Sequence, residues 1–370
     1  MEGRDVKYLI ALGQVDEMEQ KHIAALTDYF GDAETAWKSP RLWRRALRLK
    51  ESRLEQMTAS RAGLDPDAID AYRRSLGVKI TVSSDADFPA FLRNVTDPPR
   101  FLYYLGALPP PERLSVAVVG ARNCGDYGRD TVNQIVTDLV TKAGVHIVSG
   151  MAEGIDGAAH RAALSAGGFT TAVLGSGIDV VYPACHRGLY REIAAKGCVL
   201  SEYPFGCPAL KHHFPRRNRL ISGLADGVLV AEARRKSGTL HTVGHGLEQG
   251  KNIYAIPGSV FSPLSGLPHY LIEMGEAKFT ACADDILEDF LGVGFAAERE
   301  SGGERDLTAL ASDGAERAVL AELAKGRRGF DELLDISGLS APALTSFLTL
   351  LEIEGAVRET PGNTYTLTNS

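Results

Sequence analysis

Leu114-Ser-Val-Ala-Val-Val-Gly-Ala-Arg-Asn-Cys-Gly-Asp-Tyr-Gly128 opens on an apolar, β-branched run and halts at Gly120. After a glycine-punctuated turn it gives way to helical periodicity as far as about Ala143. That succession predicts strand, turn and helix. In such a unit the first backbone N–H groups of the helix, and its positive end, face whatever lies above the turn, which suits phosphate. Gly120 and Ala121 are therefore expected to form a phosphate turn.

Further along, apolar runs of strand length alternate with helical patterns. The expected strands are Ser115–Val119, Val145–Ser149, Thr170–Leu174, Val199–Ser201, Gly227–Val230, Asn252–Ala255 and Ala277–Phe279. Parallel strands need crossovers, so the expectation is an α/β, Rossmann-like, mainly parallel sheet with helices on both faces. Ligands in such sheets bind beyond the carboxyl ends of the strands. Gly120 to Arg122, Ser149-Gly150, Glu202, Glu232 and Pro257-Gly258 fall there.

The flanks read differently. Helical patterns at Val6–Leu12, Glu17–Tyr29, Leu42–Leu47, Glu51–Ala62 and Pro66–Leu76 predict a small helical domain, of the sterile-alpha-motif or helix-hairpin-helix kind, over 1–77. Gln14-Val-Asp16 replaces the glycine turn of a DNA-binding hairpin, so packing or protein contact is the expected role. Residues 78–113 read as a first strand (Val78–Val82) and an extended, proline-bearing connector. The sheet domain then covers 114–294 and a polar linker 295–307. Residues 308–370 give helix, helix, helix and a hairpin around Pro361-Gly-Asn363, the layout of a winged helix.

The chain has 370 residues, 44% of them hydrophobic, and a net charge of −7, which excludes bulk attraction to polyanions. The charge is uneven: 17 basic and 17 acidic residues over 1–114, 16 and 13 over 115–279, and 7 and 17 over 280–370. Any polyanion site must come from local clustering in the middle segment. No apolar run reaches the ~18 residues of a membrane span, and no signal peptide is read at the N-terminus. Five scattered cysteines without a Cys-x-x-Cys pair fit a reducing cytoplasm and argue against a metal site.

Three segments carry candidate chemistry. In the opening turn, Arg122 occupies the second glycine position of the dinucleotide fingerprint, so no nicotinamide or flavin is expected; an arginine there suits a backbone phosphate. Lys211-His-His-Phe-Pro-Arg-Arg-Asn-Arg219 holds four fixed cations around an aromatic, as single-stranded nucleic acid requires, unless its arginines pair with Glu202 or Glu232. Arg234-Arg-Lys-Ser-Gly-Thr239 adds charge and a further glycine turn. In Ser149-Gly-Met-Ala-Glu-Gly-Ile-Asp-Gly-Ala-Ala-His160, Asp156 and His160 are four apart, but Asp156 is placed to cap a helix and no third ligand is near. Walker, Gly-x-Ser-x-Gly and His-Glu-x-x-His motifs are absent from the sequence.

Val118-Val-Gly-Ala-Arg122, Ser149-Gly-Met-Ala-Glu-Gly-Ile-Asp156, Gly177-Ile-Asp179 with Tyr182-Pro183, Ser201-Glu-Tyr-Pro204, Phe214-Pro-Arg-Arg-Asn-Arg219, Ser237-Gly-Thr239 and Ile256-Pro-Gly258 together resemble the successive motifs of the DNA-processing protein A (DprA/Smf) family. The resemblance implies a non-enzymatic protein that binds single-stranded DNA, dimerises through its Rossmann-like domain and helps load the recombinase RecA during natural transformation. It places Arg122, Lys211, Phe214, Arg217, Asn218 and Arg219 in the DNA pocket, with Ser149, Gly150, Gly238 and Thr239 as phosphate turns. Ala121 and Glu153 depart from the family pattern, the latter removing a cation. The helix Ala341–Glu354 has no Lys or Arg and two acids, so a protein-contact or dimer-tuning role is expected of the winged helix. The alternative is a nucleotide or nucleoside hydrolase, with Ser237–Leu240 cradling a phosphate and Glu202, Glu232 or Glu248 as its carboxylate.

Overall fold

The computed structural model describes residues 3–291, 311, 314–323, 328–353, 357–360 and 364–367. The expected linker 295–307 and the turn Pro361-Gly-Asn363 lie outside these. The chain divides into two units, Met1–Ile286 and Leu287–Ser370.

In the first unit the helices α1 (Gly3–Gly13), α2 (Gln20–Phe30), α3 (Ala33–Lys38), α4 (Trp43–Ala46), α5 (Glu51–Ala62) and α6 (Pro66–Ser75) precede the sheet. Then follow β1 (Lys79–Val82), β2 (Phe101–Gly106), β3 (Ser115–Val119), α7 (Asp126–Ala143), β4 (His146–Ser149), α8 (Ile155–Ser165), β5 (Thr170–Val173), α9 (Arg187–Lys196) and β6 (Cys198–Ser201). The unit continues with α10 (His213–Gly223), β7 (Gly227–Val230), α11 (Thr239–Glu248), β8 (Asn252–Ala255), α12 (Gly266–Glu273) and β9 (Lys278–Phe279), and the boundary at Ile286 falls within α13 (Asp284–Leu291). The strands form a nine-stranded sheet in the order β1-β2-β6-β5-β4-β3-β7-β8-β9. From β6 to β9 every pairing is parallel, while β1–β2 and β2–β6 are antiparallel.

The mainly parallel sheet is thus as expected, with one correction. Residues 78–113 are not a connector outside the sheet. Phe101-Leu-Tyr-Tyr-Leu-Gly106 is a strand pairing through Tyr103–Gly106 with Cys198–Ser201, and its Phe101, Leu102 and Tyr103 are buried. The prolines at 98–99 and 109–111 bracket it without entering it.

Side chains alternate across the sheet as the pleat requires. Ala117, Val119, Val148, Val173, Leu200, Val228 and Val230 pack with Leu220, Ile221, Val243, Leu267 and Leu271 of α10, α11 and α12. Toward the other face, Ala172 and Val199 join Leu164 of α8, Leu189 and Ile193 of α9, and the apolar side of the N-terminal helices: Leu9, Leu12, Ile23, Leu26, Trp37, Trp43 and Met57. The helical segment therefore shares a core with the sheet. Gln20 fastens the two, donating to the Glu202 carbonyl (3.2 Å) and accepting from the Arg100 N–H (3.0 Å).

In the second unit, α14 (Gly314–Leu323), β10 (Arg328–Gly329), α15 (Phe330–Ser337), α16 (Ala341–Ile353), β11 (Val357–Thr360) and β12 (Thr364–Leu367) make a winged helix. Val319, Leu320, Leu323, Leu333, Leu344, Phe347, Leu348 and Leu351 form its core. Among the described residues no single helix is long and apolar enough to cross a membrane.

Candidate nucleic-acid interface

A cleft of about 610 Å³ opens beyond the carboxyl ends of β3, β4 and β7, with Ala152 and Asp156 after β4 among its lining. Gly120, Ala121, Arg122, Lys211, Phe214, Arg217, Asn218, Gly238 and Thr239 all line it, so the structure brings these sequence-predicted residues together. Ser149, Gly150 and Arg219 do not line it.

Each exclusion has a physical reason. Ser149 is fully buried and its hydroxyl donates to the Val118 carbonyl at 2.6 Å, tying β4 to β3. The Gly150 carbonyl accepts from Arg217 at 3.0 Å, and its N–H is turned to the Asp156 carboxylate. Arg219, 2% exposed, grips both carboxylate oxygens of Glu202 at 2.7 and 2.6 Å and donates to the carbonyls of Thr96 and Asp97. It is a structural ion pair; the pairing with Glu202 considered for this segment is the one that forms.

The opening turn is also corrected. The Ala121 N–H donates to the Glu232 carbonyl at 2.5 Å, and the Glu232 side chain accepts from the Gly125 N–H at 2.5 Å, just before α7. A carboxylate from the neighbouring strand therefore already occupies the positive end of α7. Asp156 fills the turn after β4 in the same way, accepting from Ala152 and Gly150. The turn before α11 differs: its first helical turn has no acid, and the hydroxyl of Ser237, a residue lining the cleft, has no hydrogen-bond partner among the described residues. Of the three turns, Ser237-Gly238-Thr239 is the one suited to receive an anion.

Two cations face the cleft from exposed positions, Arg122 and Lys211, and among the described residues neither forms an ion pair. The Arg122 guanidinium lies over the Phe214 ring, 4.9 Å from its centre. Arg217 supports the ring from within, 5.9 Å from the same centre; burial lowers its pKa to about 10, partly offset by Asp156, so it stays charged at neutral pH. It donates to the Val173 carbonyl. Phe214 rests on Gly175, where a Cβ would come within 3.0 Å of the ring. Tyr182, 43% exposed, tilts toward Phe214 at 5.6 Å. In the sequence Tyr182 stands only within the Tyr182-Pro183 motif; its place in the loop between β5 and α9, on the binding edge of the sheet, is the signal that marks it. Glu153, expected to weaken the rim, is exposed and accepts from the Cys185 thiol at 3.5 Å.

The residues weighed for catalysis are engaged elsewhere. Glu202 and Glu232 have the partners just given, and Glu248 lies on the exposed face of α11, 3.6 Å from His245. His160 is fully buried against the Thr170 hydroxyl at 2.7 Å, and burial pushes its pKa down to about 3. It does not share a site with Asp156, whose carboxyl burial pushes up. No group of three or more metal-ligating side chains occurs among the described residues.

Residues 79–291 match the family described as DNA recombination-mediator protein A, and residues 304–363 match the DprA winged helix domain. The chain is 44% identical to DNA processing protein DprA of Streptococcus pneumoniae over 56% of this chain and 72% of that protein. It is 39% identical to the Bacillus subtilis DprA over 60% and 75%. The solved structure of the S. pneumoniae protein superposes with a TM-score of 0.65 at 34% identity, covering 77% of this chain and 98% of that one. DNA processing protein A from Helicobacter pylori, whose structure is described in terms of its single-stranded DNA binding mode, gives 0.51 at 27% identity, over 58% and 96%.

Proposed function

The chain belongs to the DNA recombination-mediator protein A family, and from that premise we propose that it binds single-stranded DNA in the cleft between Arg122, Phe214 and Thr239. The observation that carries this reading is Phe214: a partly buried ring held on Gly175, lining the cleft with the exposed cations Arg122 and Lys211. A base stacks on such a ring whatever its sequence, while Arg122, Lys211 and the acid-free turn at Ser237-Gly238-Thr239 take the phosphates. Asn218, beside them, supplies a neutral hydrogen-bonding group.

On this reading the protein is a binding module and not an enzyme, and acts in the cytoplasm. It presents strands to a RecA recombinase, as in natural transformation, and works as a homodimer through the Rossmann-like domain. Phe279, 54% exposed on β9 at the end of the sheet order, supports the last point as apolar surface open to a second copy. The α16 helix, without a Lys or Arg, supports a protein-contact role for the winged helix.

The test is fluorescence anisotropy with oligo-dT, without nucleotide or metal, over a salt series. Salt-sensitive binding that weakens in Arg122→Ala and Lys211→Ala supports the assignment; unchanged binding in both variants overturns it. Incubation with nucleoside monophosphates followed by chromatography tests the hydrolase reading, which released base would favour.

A further inference from the structure

From Thr35 to Lys50 the sequence carries six cations, Lys38, Arg41, Arg44, Arg45, Arg48 and Lys50, and no carboxylate. The even charge balance of the first 114 residues conceals this run. Lys38 is paired with Glu34 at 2.5 Å. The other five are exposed, and among the described residues none of them has an ion-pair or hydrogen-bonding side-chain partner. In a chain of net charge −7, cations crowded on one face would be expected to draw the chain's own acids. The nearest in sequence, Glu51 and Glu55 on α5, are exposed and do not pair with them.

The face is built, not merely solvated. Trp43 is fully buried, with its indole N–H donating to the Ala36 carbonyl at 2.8 Å, and Leu47 is 3% exposed. Arg41 stands on the turn Pro40–Leu42, Arg44 and Arg45 on α4, and Arg48 and Lys50 in the stretch between α4 and α5; with Trp43 and Leu47 buried, all five cations are on the solvent side of this ten-residue segment. Four of the five free cations are arginines, whose planar forks suit phosphate oxygens. The only aromatic within the run from Arg41 to Lys50 is the buried Trp43, so this face offers no ring on which a base could stack. The helices bearing it are fixed to the sheet by a shared core, by Gln20 and by the Arg216–Glu19 ion pair at 3.1 Å.

We propose that the Arg41–Lys50 face of the N-terminal helices is a second nucleic-acid contact, which grips the phosphate backbone without reading bases and accepts duplex as readily as single strands. It differs from the proposed cleft, which would select unpaired bases through Phe214, and it goes beyond the packing or protein-contact role expected of this domain. With both contacts on one body, DNA held by its bases in the cleft has a second, purely electrostatic hold on its flank.

The experiment compares the full-length chain with two variants, one carrying Arg41→Gln, Arg44→Gln, Arg45→Gln and Arg48→Gln together, the other Phe214→Ala. Each is titrated against a short oligo-dT and a blunt duplex over a salt series. The arginine variant should lose duplex affinity roughly tenfold at low salt, with the salt slope reduced by about 0.9 for each phosphate contact removed, and keep its affinity for an oligo-dT just long enough to fill the cleft. Phe214→Ala should do the reverse. A set of Arg→Lys replacements at the same four positions should preserve the salt slope, separating charge from folding. Unchanged duplex affinity and slope in the arginine variant, as a face made for an acidic protein would give, overturns the proposal. Unchanged oligo-dT binding in Phe214→Ala overturns the cleft assignment instead and leaves this one standing.

Discussion

The Arg122 guanidinium lies over the face of Phe214, 4.9 Å from the ring centre, so the residue that replaces a fingerprint glycine in the first turn meets the aromatic of α10 across the cleft. Tyr182 tilts toward the same ring at 5.6 Å, and on the proposed reading a base stacks on Phe214 while Arg122 contacts the adjoining phosphate.

Removing the ring and removing the cation should therefore have different signatures. Phe214→Ala is expected to weaken oligo-dT binding by about 1–3 kcal/mol with little change in salt slope. Arg122→Ala should lower the slope by about 0.7. Anisotropy titrations at several salt concentrations measure both, and a double-mutant cycle should give a coupling of about 0.5–1 kcal/mol from the cation–π contact. Strict additivity would mean that the two act separately.

Arg219 should behave as a structural residue. Arg219→Ala leaves Glu202, 6% exposed, as a buried carboxylate without its partner, which is expected to cost about 3–5 kcal/mol of folding stability. Urea unfolding reads this directly. At temperatures where the variant remains folded, its oligo-dT affinity should match the parent's; a selective loss of DNA binding with unchanged stability would return Arg219 to the pocket.

The sheet was legible because its buried strands are short apolar runs separated by helical periodicity, and Arg122, Lys211 and Phe214 stood out as cations and a ring without nearby acids. What escaped has identifiable causes. The strand Phe101–Gly106 is short and bracketed by prolines, so its pairing with Cys198–Ser201 left no local mark. The phosphate turns at Gly120 and Ser149 were misread because the carboxylates that satisfy them are fixed by topology: Glu232 reaches Gly125 from a neighbouring strand. The resemblance places Arg219 in the pocket, while the basic segment alone leaves open a pairing with Glu202, and nine residues of sequence do not reveal which cations turn inward around α10. The arginine face at 41–50 vanished in a domain-wide count of charge.

Gly154 tests how tightly the Arg122 turn is held. It sits at φ +75°, and a Cβ there would lie 2.2 Å from the Ala121 carbonyl oxygen and 2.4 Å from that of Arg122. Both the conformation and the backbone contact oppose any side chain. Gly154→Ala is expected to destabilise the fold by more than about 1 kcal/mol and, by displacing the turn, to weaken oligo-dT binding even where the protein stays folded. A variant with parental melting temperature and affinity would mean that the turn yields freely.

Acid sensitivity follows from two buried histidines on neighbouring elements. His146 bonds the Thr171 hydroxyl at 2.8 Å and His160 that of Thr170 at 2.7 Å, and burial pushes both pKa values down to about 3. Unfolded, each titrates near pH 6.5. Between these values the unfolded chain binds more protons than the folded one, so their contribution to stability is fully present above about pH 6.5 and is lost as pH falls. The slope is about 1.4 kcal/mol per pH unit for each histidine. Burial also lowers His22 and His213, with the same sign, whereas it raises Asp156, with the opposite sign; the comparison must therefore be between variants. Urea unfolding between pH 6.5 and 5 should give His146→Gln a stability that falls less steeply than the parent's, by about 1 kcal/mol per unit on average. Parallel curves would show that His146 takes up its proton in the folded state.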